Sequence, residues 1–181
     1  TEYDLGSITP PPWPGANERL ILSNGQWVEP LTRLAGFSPE EFEVFVHQWA
    51  MEFLGKSNKY RRVDRKAGSG DEGRDIIAWI DPPKESGARW DNFQCKHYKD
   101  RLTPSDIWPE LGKLCYYTYK EHYSIPQHYY IVTHKDVGPT LSNLLDKSSE
   151  LRDRLVADWD KHCRHQILST PVPLDGNFAE Y

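Results

Sequence analysis

No run of apolar residues in the chain is long enough to cross a bilayer, and no basic-then-apolar leader opens it. The expectation is a cytoplasmic protein with no membrane partner. Cysteine is scarce: Cys95, Cys115 and Cys163 are an odd number at irregular spacing, which suits a reducing compartment and argues against a disulfide framework. The sequence has neither a Gly-rich dinucleotide motif nor a P-loop, so nucleotide binding of those kinds is not expected. No internal repeat is visible. An excess of positive charge is also missing. The formal net charge is −5, which at first argues against a nucleic-acid partner.

The distribution of charge reverses that argument. From Lys56 to Arg74 there are seven basic residues against three acidic, and from Lys84 to Arg101 five against three. Together these stretches carry +6 and leave −11 to the rest of the chain. It is local field, not net charge, that draws a phosphate backbone into a cleft. The alternative is that both stretches are solvated strand edges.

The chain has 181 residues, of which 38% are hydrophobic, enough for one folded α/β domain. It opens on Thr1, and nothing after Asn177 resembles a helix cap, which suggests a domain cut from a longer protein. Residues 1–36 are expected to form an arm: Pro10, Pro11, Pro12 and Pro14 favour extended geometry, and Trp13 and Trp27 would pack it. Residues 37–168 form the expected domain, and residues 169–181 a linker to a missing C-terminal domain.

A helix start follows the arm. Ser38 suits the N-cap, Pro39 the first helical position and Glu41 the third, closing a capping box. Phe42, Phe45, Val46, Trp49, Ala50, Phe53 and Leu54 recur at helical spacing, and Gly55 is placed to stop the helix. Three short strands are predicted over Tyr60–Arg65, Asp75–Ile80 and Asp91–Lys96, with glycine and proline in the gaps. A helix is expected over Asp106–Glu121, with Pro109 delaying or kinking its start. A strand over Tyr129–Thr133 and helices over Pro139–Lys147 and Glu150–Arg164 complete the order. That order predicts an α/β sandwich with a mixed sheet.

The chemistry concentrates between Gly70 and Lys96. Gly70-Asp71-Glu72-Gly73-Arg74-Asp75 leads into a strand, and nineteen residues after Asp75 comes Lys96's neighbourhood, beginning at Gln94. Side chains alternate along a strand, so Gln94 and Lys96 share one face while Phe93 and Cys95 share the other. Phosphodiester hydrolysis needs a carboxylate to hold Mg²⁺ beside the phosphate, and Asp75 is the candidate. Gln94 and the backbone carbonyl of Cys95 offer the further hard oxygens that Mg²⁺ takes. Lys96 can orient the attacking water and offset charge developing on the phosphate. Glu43, on the first helix, is a further ligand or a water holder. Arg61, Arg62, Arg65, Lys66, Arg74, Lys99 and Arg101 are the candidate phosphate contacts.

These residues resemble the Mrr-type branch of the PD-(D/E)xK nucleases, which is similar in fold to restriction endonucleases. In that pattern Glu43 stands for the acid of the first helix, Asp75 for the metal-binding aspartate, and Gln94 and Lys96 for the glutamine-x-lysine strand. Gln94 replaces the acid of the wider superfamily, which removes one negative charge and should weaken metal binding. The resemblance spans roughly Phe37 to Thr133. It implies a restriction-endonuclease-like αβββαβ core with a mixed central sheet flanked by helices, here with extra C-terminal helices. It also implies Mg²⁺-dependent cleavage of double-stranded DNA, with Mn²⁺ able to substitute. Family habit further suggests bacterial antiphage defence, a CBASS-type effector role, and a sensor or assembly domain elsewhere in the protein. A double-strand cut needs two active sites, so a homo-oligomer is expected when active.

Two other readings stand beside this one. A non-catalytic DNA-binding or assembly module on a degenerate nuclease fold would need neither Asp75 nor Lys96. An RNA nuclease would use the same phosphate contacts. The tyrosines at 116, 117, 119, 129 and 130 are either core or base-stacking groups. His162, Cys163 and His165, with Cys115, match no usual zinc spacing, and Cys163 is expected in the core. His97 is expected on the face opposite Lys96. Asp71 is expected to shape the turn before Asp75 more than to bind metal.

Overall fold

The first strong helix forms where capping and burial agree. Ser38 Oγ accepts from the Glu41 backbone N–H at 3.2 Å, and Glu41 returns the bond to the Ser38 N–H at 2.7 Å. Helix α2, Pro39–Trp49, follows this capping box, after a short helix α1, Pro30–Ala35. Phe42 and Val46 of α2 are buried, and the chain leaves it through one wider π-helical turn, Ala50–Leu54. The computed structural model describes residues 29–54, 59–66, 68 and 70–181. The proline cluster, Trp13, Trp27 and Gly55 lie outside the described residues. α1 falls within the stretch expected to be irregular.

Strands β1, Arg62–Arg65, β2, Ile76–Trp79, and β3, Trp90–Cys95, form an antiparallel meander. Helix α3, Pro104–Tyr119, then carries the chain over to β4, His128–Val132, which pairs parallel to β3. The sheet is four-stranded and mixed, in the order β1-β2-β3-β4. This is the αβββαβ order. β1 and β2 are each two residues shorter than their sequence patterns, because the apolar pattern outruns the hydrogen-bonded ladder, whereas β3 and β4 keep the expected length and begin one residue earlier. Helix α3 starts two residues earlier than expected, at Pro104, since the Asp106 carboxylate accepts from the Thr103 N–H at 2.7 Å and caps that end. Pro109 therefore lies inside the helix and does not delay it.

Two cores flank the sheet. On one face Phe42, Val46 and Ala50 pack on Ile76, Ala78 and Phe93. The second core gathers Ile107 and Trp108 of α3, Leu141 of α4 (Pro139–Leu145), and Trp159 and Cys163 at and beyond the end of α5 (Ser148–His162). Gly112 lets α3 approach α5 closely, since a β-carbon there would lie 3.0 Å from the Cys163 side chain. Residues 169–181, read from sequence as a linker, place Val172 and Phe178 in this core, the latter on a short helix α6, Gly176–Glu180. Among the described residues no helix is long and apolar enough to cross a membrane.

Candidate active site

The loop before β2 sets the position of Asp75. Glu72 and Gly73 are both left-handed, with φ of 55° and 79°. That conformation is strained for Glu72 and open to Gly73. A β-carbon on Gly73 would also lie 2.9 Å from Cβ of Lys113 on α3. The turn is held by the Gly73 N–H, which donates to Asp71 Oδ1 at 2.8 Å. It is pinned to the α3–β4 connection by three contacts. Arg74 pairs with Glu72 at 2.7 Å and lies 3.9 Å over the Tyr123 ring, Tyr123 Oη donates to the Glu72 carbonyl at 2.9 Å, and His122 meets Glu72 at 2.8 Å. Asp71 thus shapes the turn.

Asp75 emerges from this loop beside β3. Its Oδ2 accepts from Gln94 Nε2 at 2.8 Å and from the Cys95 backbone N–H at 2.7 Å. Among the described residues no donor reaches Oδ1. Gln94 Oε1 in turn accepts from Tyr129 Oη at 3.3 Å. Burial pushes the Asp75 carboxyl up to about 6, and the Cys95 bond only partly opposes this. The negative charges of Glu43, Glu110 and Asp71 push in the same direction as burial. Burial likewise raises Glu43 against the pull of Arg65, which contacts it at 3.4 Å.

Lys96 lies on the Gln94 side of the sheet, as strand alternation predicts. It is buried, and its Nζ donates to Glu110 Oε1 at 2.8 Å; Lys113 donates to the other Glu110 oxygen at 3.1 Å. Burial alone would favour a neutral amine, but Glu110 outweighs it and holds Lys96 above its ordinary value. Burial opposes the charge on Glu110 too, and the two lysines hold that carboxyl below its ordinary value. Glu110 is the site residue that sequence reasoning missed. A single glutamate inside an amphipathic helix carries no motif; only its fall one helical turn before Lys113 hinted at a charged face.

The structure brings Asp75, Gln94, Cys95 and Lys96 together at one end of the sheet, with Glu43 and Glu110 on the flanking helices. The phosphate-contact candidates divide. Arg61, Lys66, Lys99 and Arg101 are exposed and have no ion-pair partner among the described residues. Arg62 pairs with Asp64, Arg65 with Glu43 and Glu40, and Arg74 is engaged by Glu72 and Tyr123. His97 faces away from Lys96: it donates to the Leu34 carbonyl at 2.8 Å and stacks on His134. Cys163 is buried and donates to the Trp108 carbonyl. Asn92, on the Gln94 face of β3, is fully buried, and neither of its amide atoms is bonded among the described residues.

The donor set can be weighed against a divalent cation. Among the described residues no three His, Cys, Asp or Glu side chains converge as a metal cluster. Glu43, Asp71 and Glu110 act on Asp75 through their field; Asp75 keeps one carboxylate oxygen with no donor among the described residues, while Gln94 turns its amide nitrogen to the other. Magnesium binds through one or two carboxylates and keeps several waters. An open carboxylate oxygen in a negative surround fits that habit.

Residues 34–112 match the family model described as restriction endonuclease, in its Mrr catalytic form. The match runs from the end of α1 into α3 and so includes Glu43, Asp75, Gln94, Lys96 and Glu110. No curated protein and no solved structure matches the chain.

Proposed function

We propose that the chain, whose residues 34–112 match the Mrr restriction-endonuclease model, is a metal-dependent endonuclease that hydrolyses phosphodiester bonds of double-stranded DNA. The observation that carries this reading is the state of Asp75. One oxygen is clamped by Gln94 and Cys95, the other is open, and buried Lys96 lies on the same side of the sheet.

Asp75, the Gln94 carbonyl oxygen and the Cys95 backbone carbonyl would hold Mg²⁺, or Mn²⁺ in its place, with Glu43 contributing through water. The cation, when bound, polarises the phosphate and lowers the pKa of a bound water. Lys96 enters this chemistry as an ammonium, because Glu110 keeps it charged. It is therefore a hydrogen-bond donor and a fixed positive charge for the phosphate oxygens and the attacking water. Water adds to phosphorus as it gives up a proton to solvent, the bond to the leaving deoxyribose oxygen breaks, and that oxygen takes up a proton from solvent. Arg61, Lys66, Lys99 and Arg101 supply the free cations for backbone contacts, which fix register without reading sequence. The family habit adds a homo-oligomer as the active species, a sensor or assembly domain and an antiphage role in the cytoplasm.

The test is cleavage of supercoiled plasmid in Mg²⁺, in Mn²⁺ and in EDTA, beside Lys96→Ala. Cutting should need metal and fall by about a hundredfold or more in the variant, the scale of one lost transition-state donor. Near-wild-type cutting by Lys96→Ala would sink the assignment. Metal-independent DNA binding without cleavage would favour the assembly-module reading, and preferential cutting of RNA in direct competition would change the substrate.

A further inference from the structure

Gln94 faces Asp75 with the wrong end of its amide for a metal ligand. The group 2.8 Å from Asp75 Oδ2 is Nε2, a donor. The reverse assignment would press Oε1 against a carboxylate oxygen at the same distance, so the nitrogen belongs there while Asp75 is bare and ionised. To offer its oxygen to a cation at Asp75, the amide must turn over, and Nε2 then takes the place of Oε1. That place is beside Tyr129 Oη, 3.3 Å from Oε1. Tyr129 lies on β4, whose pairing with β3 sets Ile131 opposite Gln94 and Tyr129 opposite Asn92. Few side chains can meet both ends of an amide. A hydroxyl can, since it both donates and accepts, whereas a lysine or carboxylate in that place would favour one orientation.

We propose that Tyr129 is a positioning residue for metal loading: its hydroxyl donates to Gln94 Oε1 when the amide faces bare Asp75, and accepts from Nε2 when the amide turns its oxygen to the cation. This rests on the reading of Gln94 as an oxygen ligand. Burial, with the charges of Glu110 and Asp75, keeps the Tyr129 phenol protonated far above neutral pH, so both roles remain open to it. The two orientations do not lose equally without Tyr129. With the amide facing Asp75, Nε2 keeps its carboxylate partner and only a carbonyl oxygen is left short. With the amide turned, Nε2 loses its one identified acceptor, and orphaned buried N–H groups are tolerated less well than under-bonded carbonyls.

The test is Mn²⁺ binding, read from the resonance of free Mn²⁺ by electron paramagnetic resonance, for the wild type, Tyr129→Phe, Gln94→Glu and the double variant. Tyr129→Phe should weaken Mn²⁺ binding by roughly tenfold in the Gln94 protein, the scale of one buried donor left without an acceptor. In the Gln94→Glu background it should change binding less than about twofold, because a carboxylate has oxygen at both ends and need not turn. An equal loss in both backgrounds, or none with Gln94, overturns the proposal. Should Tyr129→Phe fail to fold, the wild type still decides. The Gln94 side-chain amide signals in an NMR spectrum should move on addition of Mg²⁺, and unmoved signals in metal-loaded protein overturn the proposal. Absence of Mn²⁺ binding to the wild type would instead remove the metal reading beneath it.

Discussion

Asp75→Asn should make the metal-free protein more stable while abolishing its activity. A carboxyl lifted from its ordinary value near 3.8 to about 6 is disfavoured in its ionised form by on the order of 3 kcal/mol, at about 1.4 kcal/mol for each tenfold change. Asparagine removes that cost. Its amide oxygen still accepts from Gln94 and from the Cys95 N–H, and its nitrogen falls where Oδ1 has no partner among the described residues. The bond from Cys95 loses its charge assistance, which returns part of the gain. The net expectation is about 1–3 kcal/mol above pH 7. The sign with pH follows from a folded pKa above the unfolded one. Wild type carries its full deficit well above pH 6, recovers as Asp75 takes up a proton near and below that, and approaches the variant only below about pH 3.8, where the unfolded carboxyl is protonated as well. Urea unfolding in EDTA at pH 8, 6 and 4.5 reads this directly. Saturating Mg²⁺ should reverse the order at pH 8, since only wild type gains stability by mass action. A variant less stable than wild type at pH 8 in EDTA, or a gain that persists unchanged in acid, would refute the electrostatic account of the site.

Gly73→Ala should lower both stability and cleavage: it puts a side chain at φ 79° and a β-carbon 2.9 Å from Lys113, so the loop that aims Asp75 and the lysine that braces Glu110 must both shift. A cost of about 1 kcal/mol or more in thermal unfolding is expected, and an unchanged melting temperature with full activity would contradict the geometry. Ser38→Ala should cost about 1 kcal/mol by removing one half of the capping box, with little effect on cleavage per folded molecule, because Glu43 lies beyond the capped turn. Chemical denaturation beside a plasmid assay separates the two effects.

The framework was legible because its signals are local and repeated. The Ser38 to Glu41 box and the apolar spacing of α2 announce a helix, and the alternation Phe93, Gln94, Cys95, Lys96 is enough by itself to assign faces to β3. The site was legible only in part. Asp75, Gln94 and Lys96 stand in an ordered motif, but Glu110 and Tyr129 reach them through α3 and β4, and a lone glutamate or tyrosine bears no mark of its neighbour. Arg74 reads as a phosphate contact by charge, yet the fold sets it on Tyr123 and Glu72. The short helices at Pro30–Ala35 and Gly176–Glu180 were missed because five or six residues are too few to show a period.

The parallel seam between β3 and β4 also orders events during synthesis. Asp75, Gln94 and Lys96 leave the ribosome before Glu110, and Tyr129 follows later still. Until residue 132 has been made, β3 has one neighbour only and is a bare sheet edge carrying Phe93 and Cys95. Elements are made from the N-terminus forward, and long-range parallel pairing is slow to form. The nascent chain therefore carries its chemical groups well before it can arrange them, and β4 completes the seam last.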